Sequence, residues 1–233
     1  MAGVWTSVRP MVVAAAVLIA AFASLMGCTD ASGEAAAATE RLRVVCTVGM
    51  VTDIAAQVAG DRADVVGMMG AGIDPHLFKP TRSDVQLLLG ADVIFTNGLL
   101  LEGKMTDSLK RAEGAGMRVV AVTERIDKEY LLELDDAAGH VDPHVWMDPA
   151  AWMRAVEVVR DALIEADAKN EQAYRDNARR AVDGIARVDA YAERVLRTVP
   201  ESQRVLVTAH DAFNYFGRRY GFEVVGIQGI STE

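Results

Sequence analysis

Arg43-Val44-Val45-Cys46-Thr47-Val48 is an apolar run of strand length, followed by a helix-length segment at 51–60 and a second apolar run at 63–69. Working outward, the same alternation continues: helix at 83–89, strand at 92–96, helix at 104–115 and strand at 118–122. Strands separated by helices predict an α/β fold with a parallel sheet flanked by helices, because parallel neighbours need a crossover that helices supply. The runs are apolar at consecutive positions, as strands covered on both faces should be.

Further along, Pro149 opens a helix with Trp152, Val156, Val159, Leu163 and Ala166 on one face. A second helix, 170–198, carries its apolar stripe at Tyr174, Ala178, Ala181, Ile185, Val188, Ala192 and Val195. At 1.5 Å per residue it would be about 43 Å long, more than one small lobe needs, so it is expected to join two. Pro200 ends it. Beyond lies the start of a second unit: strand 204–208, helix 212–220 and strand 223–227. Two strands and one helix do not close a doubly wound sheet. The expected organisation is a first lobe at 42–169, a linking helix at 170–199, and at 200–233 a second lobe that is cut short.

The N-terminus reads as an export signal. Arg9 precedes an apolar run from Met11 to Leu25, too short to span a bilayer comfortably, and the run ends in Leu25-Met26-Gly27-Cys28. A small residue directly before one Cys resembles a bacterial lipobox, so 1–27 is expected to be removed and Cys28 acylated. The Ala-rich stretch 28–41 suits a tether. Cys46, inside an apolar run, is expected to be a small buried hydrophobe. The net charge of −9 excludes a general affinity for nucleic acid, which needs clustered Lys and Arg.

Of the four His residues, three fall where a ligand site would be built. His76 lies in Asp74-Pro75-His76-Leu77 after the second strand, and His144 in Asp142-Pro143-His144-Val145-Trp146 after the fourth. His210 follows the strand of the second unit. Open α/β sheets bind ligands just past the carboxyl ends of their strands, and neutral imidazole is the commonest metal ligand in proteins. A single imidazole in a loop is more often solvent-facing or internally satisfied; three in equivalent positions point to a metal. His140 has no such placement and reads as a solvated loop residue. Asp74, Asp142 and Asp211 stand close to the candidate ligands in sequence and leave a secreted metal-dependent hydrolase open. Yet the chain has no His-Glu-x-x-His helix, Gly-x-Ser-x-Gly elbow or phosphate-cradling loop. Trp146 and Trp152 read as packing residues. A metal-linked surface adhesin is a further alternative.

Four pieces occur together in order: Gly72-Ile73-Asp74-Pro75-His76; Asn97-Gly98-Leu99 with Leu101-Glu102-Gly103-Lys104-Met105; Asp142-Pro143-His144-Val145-Trp146-Met147-Asp148-Pro149; and Thr208-Ala209-His210-Asp211-Ala212-Phe213. Together they resemble the zinc- and manganese-binding solute receptors of ABC importers, the troa-type cluster. The resemblance implies a monomeric, lipid-anchored receptor of two lobes joined by one long helix, lying at the outer face of the cytoplasmic membrane. It would not be an enzyme, and would hand its ion to a cognate ABC permease. His76, His144 and His210 would hold the metal between the lobes. The fourth, carboxylate ligand of the family comes late in the second lobe; Glu233 does not match it, and that segment is missing from this chain. Three imidazoles favour zinc by ligand softness, with manganese as the other ion.

Overall fold

The computed structural model describes residues 41–134 and 139–229. The expected signal segment, Cys28, nearly all of the tether and Glu233 lie outside the described residues. Two parallel sheets organise the rest. The first contains β1 (Leu42–Cys46), β2 (Ala63–Gly67), β3 (Val93–Thr96) and β4 (Arg118–Ala121), in the order β2-β1-β3-β4. The helices between them are α1 (Gly49–Ala59), α2 (Arg82–Leu89) and α3 (Thr106–Gly114). The direction of crossing reverses between β1 and β3, which makes the ends of these strands the sheet's switch point.

Each element follows from its side chains. β3 is buried at all four positions, Val93, Ile94, Phe95 and Thr96, as a central strand covered on both faces must be. The uniform burial expected of every strand fails at the edge strands β2 and β4, most of all at β2. That strand is at the sheet's edge and is exposed or half-exposed beyond Ala63, because it has a neighbour on one side only. α1 buries Val51, Ile54, Ala55, Val58 and Ala59, the spacing of one helical face. α2 starts at a reciprocal cap, in which the Thr81 hydroxyl accepts from the Asp84 N–H while the Asp84 carboxylate accepts from the Thr81 N–H. Cys46 is fully buried, and burial pushes its thiol up to about 12. It packs as a small apolar group, as expected.

α4 (Pro149–Ala166) begins at Asp148, whose carboxylate accepts from the Ala150 N–H at 2.9 Å, with Pro149 pre-set for the first turn. α5 spans Glu171–Leu196, a little shorter than the stretch 170–198: Ala168–Asn170 form a tighter 3₁₀ turn before it, and residues 197–198 turn away after it. Its first half buries Tyr174, Ala178 and Ala181 in the core that α1 and α4 share. Farther along, Val188 and Tyr191 are 64% and 58% exposed, so the apolar stripe outlasts its packing partners. There α5 is tied instead by Asp189, which accepts from Arg219 at 2.7 and 3.1 Å and from the Tyr220 hydroxyl at 2.9 Å. Burial alone would raise the Asp189 pKa; these hydrogen bonds outweigh it and hold the carboxyl below its usual range.

The second sheet pairs β5 (Val205–His210) with β6 (Glu223–Gln228) in parallel, with α6 (Asn214–Tyr220) between them. One face of this pair is open, with Val207 62% and Ile227 77% exposed. The sequence reading ended the first of these strands at Thr208 and put His210 in the loop beyond it. In the structure Ala209 and His210 continue the strand, with His210 level with Gln228. None of the helices among the described residues is long and apolar enough to cross a membrane.

Candidate metal centre

Two of the expected ligands arise from the same local device. In Asp74-Pro75-His76 the Asp74 Oδ1 accepts from the His76 N–H at 2.9 Å, and in Asp142-Pro143-His144 the Asp142 Oδ1 accepts from the His144 N–H at 2.9 Å. An aspartate reaching its own backbone two residues on makes a tight turn, and the proline between fixes one backbone angle. The turn throws each imidazole off the carboxyl end of the first sheet. His210 arrives from the second sheet as the last residue of β5. Behind it, Asp211 fits against Gly226, where an added Cβ would stand 2.5 Å from the Asp211 Cβ. Only glycine leaves room for that close approach.

The structure brings the three imidazoles together. His144 Nε2 is 3.3 Å from His76 Nε2 and 3.2 Å from His210 Nε2, and the ring centroids lie 5.0 to 5.3 Å apart. Among the described residues these three are the cluster whose ligand atoms converge. His144 is the innermost, 1% exposed; His76 and His210 are half-buried. The Trp146 ring meets His144 edge-on at 5.1 Å, so beyond packing it also sets the plane of that imidazole. His140 stands apart from the cluster, as expected.

Hydrogen bonding fixes which nitrogens carry protons. His144 Nδ1 lies 2.7 Å from Asp142 Oδ1, and His210 Nδ1 lies 2.9 Å from the Gly229 carbonyl. A carboxylate and a carbonyl only accept, so in each neutral ring the proton sits on Nδ1 and the lone pair on Nε2. Those two lone pairs then face each other at 3.2 Å with no proton to share. Such an arrangement is repulsive unless a cation lies between them. A carboxylate or carbonyl behind a ligating imidazole is the usual outer partner of a metal site. At His76 burial first, then the neighbouring His144, lowers the pKa and favours the neutral ring.

The spacing suits a metal. A tetrahedral zinc with Zn–N bonds of about 2.0–2.1 Å has ligand–ligand edges of about 3.3–3.4 Å, close to the two edges measured at His144. A larger octahedral ion with bonds of about 2.3 Å has adjacent ligands about 3.3 Å apart as well, so the spacing admits either ion.

Other residues hold the site from behind, and the sequence reading did not assign them these tasks. Asp142, considered earlier as a base, is fully buried and committed to His144 on one oxygen; its other oxygen accepts from Asn214 Nδ2 at 3.2 Å. Tyr215 accepts from the Leu132 N–H and donates to the Asp142 carbonyl at 2.9 Å. The buried Asn97 donates to the Pro143 carbonyl at 3.1 Å, one residue before His144. The Asp-Pro-His repeat was a visible signal for Asp142. For Asn214, Tyr215 and the Gly229 carbonyl no local pattern announces the contact.

Known proteins resemble the chain over most of its length. Residues 44–233 match the family model described as zinc-uptake complex component A, periplasmic. The manganese-binding lipoprotein MntA of Bacillus subtilis (strain 168) is 40% identical over 220 residues, which is 94% of this chain and 70% of that protein. The metal ABC transporter substrate-binding lipoprotein FimA of Streptococcus parasanguinis is 30% identical over 225 residues, covering 94% and 71%. The solved structure of the periplasmic zinc-binding protein TroA from Treponema pallidum superposes with a TM-score of 0.79 at 40% identity, covering 82% of this chain and 68% of that one. The chain belongs to the zinc-uptake component A family.

Proposed function

We propose that this chain captures a divalent transition metal outside the cytoplasm for delivery to an ABC permease, with His76, His144 and His210 as its ligands. The observation that carries the reading is the facing of imidazole lone pairs at 3.2 Å, which a cation resolves. Relatives named for manganese, for zinc and for metal ABC transport support the cargo class and the partner. Three imidazoles favour zinc over manganese, since nitrogen donors suit the later ion and manganese prefers oxygen. Asp142 is occupied by His144 and Asn214, which favours a receptor over a hydrolase needing a free base. The first lobe is 42–169 and the linking helix 170–199; residues 200–233 contribute His210 from a second lobe, and the receptor acts as a monomer.

Melting curves test the capture. Metal bound to the folded state alone stabilises it by about 2.7 kcal/mol at a free concentration 100 times Kd. For a domain of this size that raises Tm by about 5–10 °C. Zinc is expected to do so; no shift with zinc or manganese would overturn the reading. The effect should depend on pH with a definite sign. Below the ordinary imidazole value of 6.5 the unfolded chain takes up a proton at His76 before the folded chain does, because the folded pKa is lowered. Metal-free stability therefore falls as pH drops through 6.5 towards that lower value. Metal affinity falls on the acid side too, since each ligand must be neutral to bind. Binding is expected to be level above about pH 7 and to weaken as pH falls below 6.5 through the lowered His76 value.

The N-terminal reading belongs to the same proposal: residues 1–27 direct export, and Cys28 carries the lipid that holds the receptor at the outer face of the cytoplasmic membrane. Stable attachment needs more than one acyl chain. Cell fractionation is expected to find the chain with membranes and the Cys28→Ala variant in the soluble fraction. Membrane retention of that variant would rule the anchor out.

A further inference from the structure

Asp142 is held from one side by the segment that supplies His210. Asn214 and Tyr215 follow His210 by four and five residues and open α6. Asn214 Nδ2 donates to Asp142 Oδ2 at 3.2 Å, while Tyr215, itself fully buried, donates to the Asp142 backbone carbonyl at 2.9 Å. Burial pushes the Tyr215 phenol up to about 12, so it keeps the proton it donates. The remaining Asp142 oxygen, Oδ1, holds His144 through both its backbone N–H and its Nδ1. A continuous line of hydrogen bonds thus runs from α6 through Asp142 to the innermost imidazole.

We infer that Asn214 and Tyr215 are positioning residues for metal capture, which tie the orientation and tautomer of His144 to the docking of the β5–α6 segment. The inference rests on the reading that the three imidazoles hold a metal. Its physical content is a coupling of two ligands. If β5 and α6 move away, His210 leaves the site, and Asp142 loses both partners that α6 provides. Its carboxylate then keeps only its contacts to His144 and is held less firmly, so the acceptor that fixes the proton on His144 Nδ1 is no longer locked from behind. When the segment docks, a second imidazole and a fully oriented first one arrive together. Two ligands are therefore assembled by one movement, and the half-assembled site is a poorer ligand set than a count of imidazoles suggests.

Loss of an outer partner one bond from a ligand costs about 10- to 100-fold in metal affinity, and Asn214 is one bond farther out, so about 3- to 10-fold is expected for Asn214→Leu and Asn214→Ala. Zinc affinity is measured on the full chain by competition with a chromophoric chelator. The metal-free chain gives a second readout: exchange with water of the His144 Nδ1 proton, followed by NMR, is expected to be at least tenfold faster in both variants. Asn177→Ala is the structural control, since Asn177 donates to the Val58 carbonyl away from the site. It should lower Tm without changing zinc affinity or that exchange. Affinity within twofold of the parent in both Asn214 variants overturns the inference while leaving the metal reading intact. So does a loss no larger than that of Asn177→Ala at equal Tm. Failure of the parent chain itself to bind zinc or manganese would sink the metal reading, and this inference with it.

Discussion

His144→Ala is expected to weaken zinc binding by about 10²–10³-fold, the largest loss of any single imidazole. Structural zinc sites with four ligands bind with about 10–16 kcal/mol, which is about 2.5–4 kcal/mol per ligand. His144 should stand at the upper end for two reasons. Its Nε2 lies within 3.3 Å of both other ligand atoms, so it is common to both short edges of the ligand triangle. It is also the imidazole held on two sides, by Asp142 behind it and Trp146 at its edge. A pre-oriented ligand loses little freedom when metal arrives, so most of its interaction reaches the observed affinity. His76 sits half-buried on a loop and should cost less when removed. His144→Ala also leaves the buried Asp142 Oδ1 with the backbone N–H of residue 144 alone, a loss of about 1–3 kcal/mol in folding stability. Calorimetric titration with zinc, beside a melting curve of each metal-free variant, separates the two effects. His140→Ala should bind as the parent does. Equal losses at residues 140 and 144 would refute the assignment.

Local pattern carried far in this chain, and where it stopped has a physical reason. The run from Arg43 to Val122 gives four strands and three helices because apolar runs of strand length and helical stripes differ in period. Strand ends are harder. Val205-Leu206-Val207-Thr208 loses its apolar character two residues before the pairing stops, since a backbone ladder continues wherever a partner strand is present. That places His210 in a loop by pattern, though it ends β5. The three converging imidazoles were legible because each lies at or past the end of a strand, and because Asp-Pro-His occurs twice. Their supports were not. Asn214 and Tyr215 reach Asp142 across about seventy residues of sequence, and the Gly229 carbonyl has no side chain to notice. Such contacts exist only once the sheets are built.

Glu102 supplies the largest expected effect on folding. Its carboxyl is 4% exposed and is surrounded by donors: the Thr47 hydroxyl at 2.6 Å, the Asn97 N–H at 2.7 Å and the Gly98 N–H at 3.3 Å. These bonds hold a turn in which Gly98, Leu99 and Leu100 all have positive φ, of 86°, 53° and 62°. For the two leucines that backbone conformation costs of the order of 1–3 kcal/mol each and persists only where the surroundings impose it. Glu102→Leu keeps the bulk and removes the acceptor, leaving three donors without it. At about 1–3 kcal/mol for each buried group the loss is about 3–6 kcal/mol, allowing for relaxation of the turn. Tm should then fall by about 6–24 °C. Glu102→Gln should be milder, because its oxygen can still accept from Thr47 and Asn97. Burial raises the Glu102 pKa despite the hydrogen bonds that lower it. The unfolded chain thus releases this proton first as pH rises. The stabilisation is full below the ordinary value of about 4.5 and is lost as pH climbs through the raised one. Gln carries no such proton, so its deficit against the parent should be greatest near pH 4.5 and shrink towards neutrality. Melting curves of the parent and both variants across that range decide it. A Leu variant melting within 2 °C of the parent at neutral pH would mean that the turn holds itself, roughly the one-kcal/mol limit for a domain of this size. The same variant should lose some zinc affinity, because Asn97, freed from Glu102, is the residue that steadies the Pro143 carbonyl beside His144.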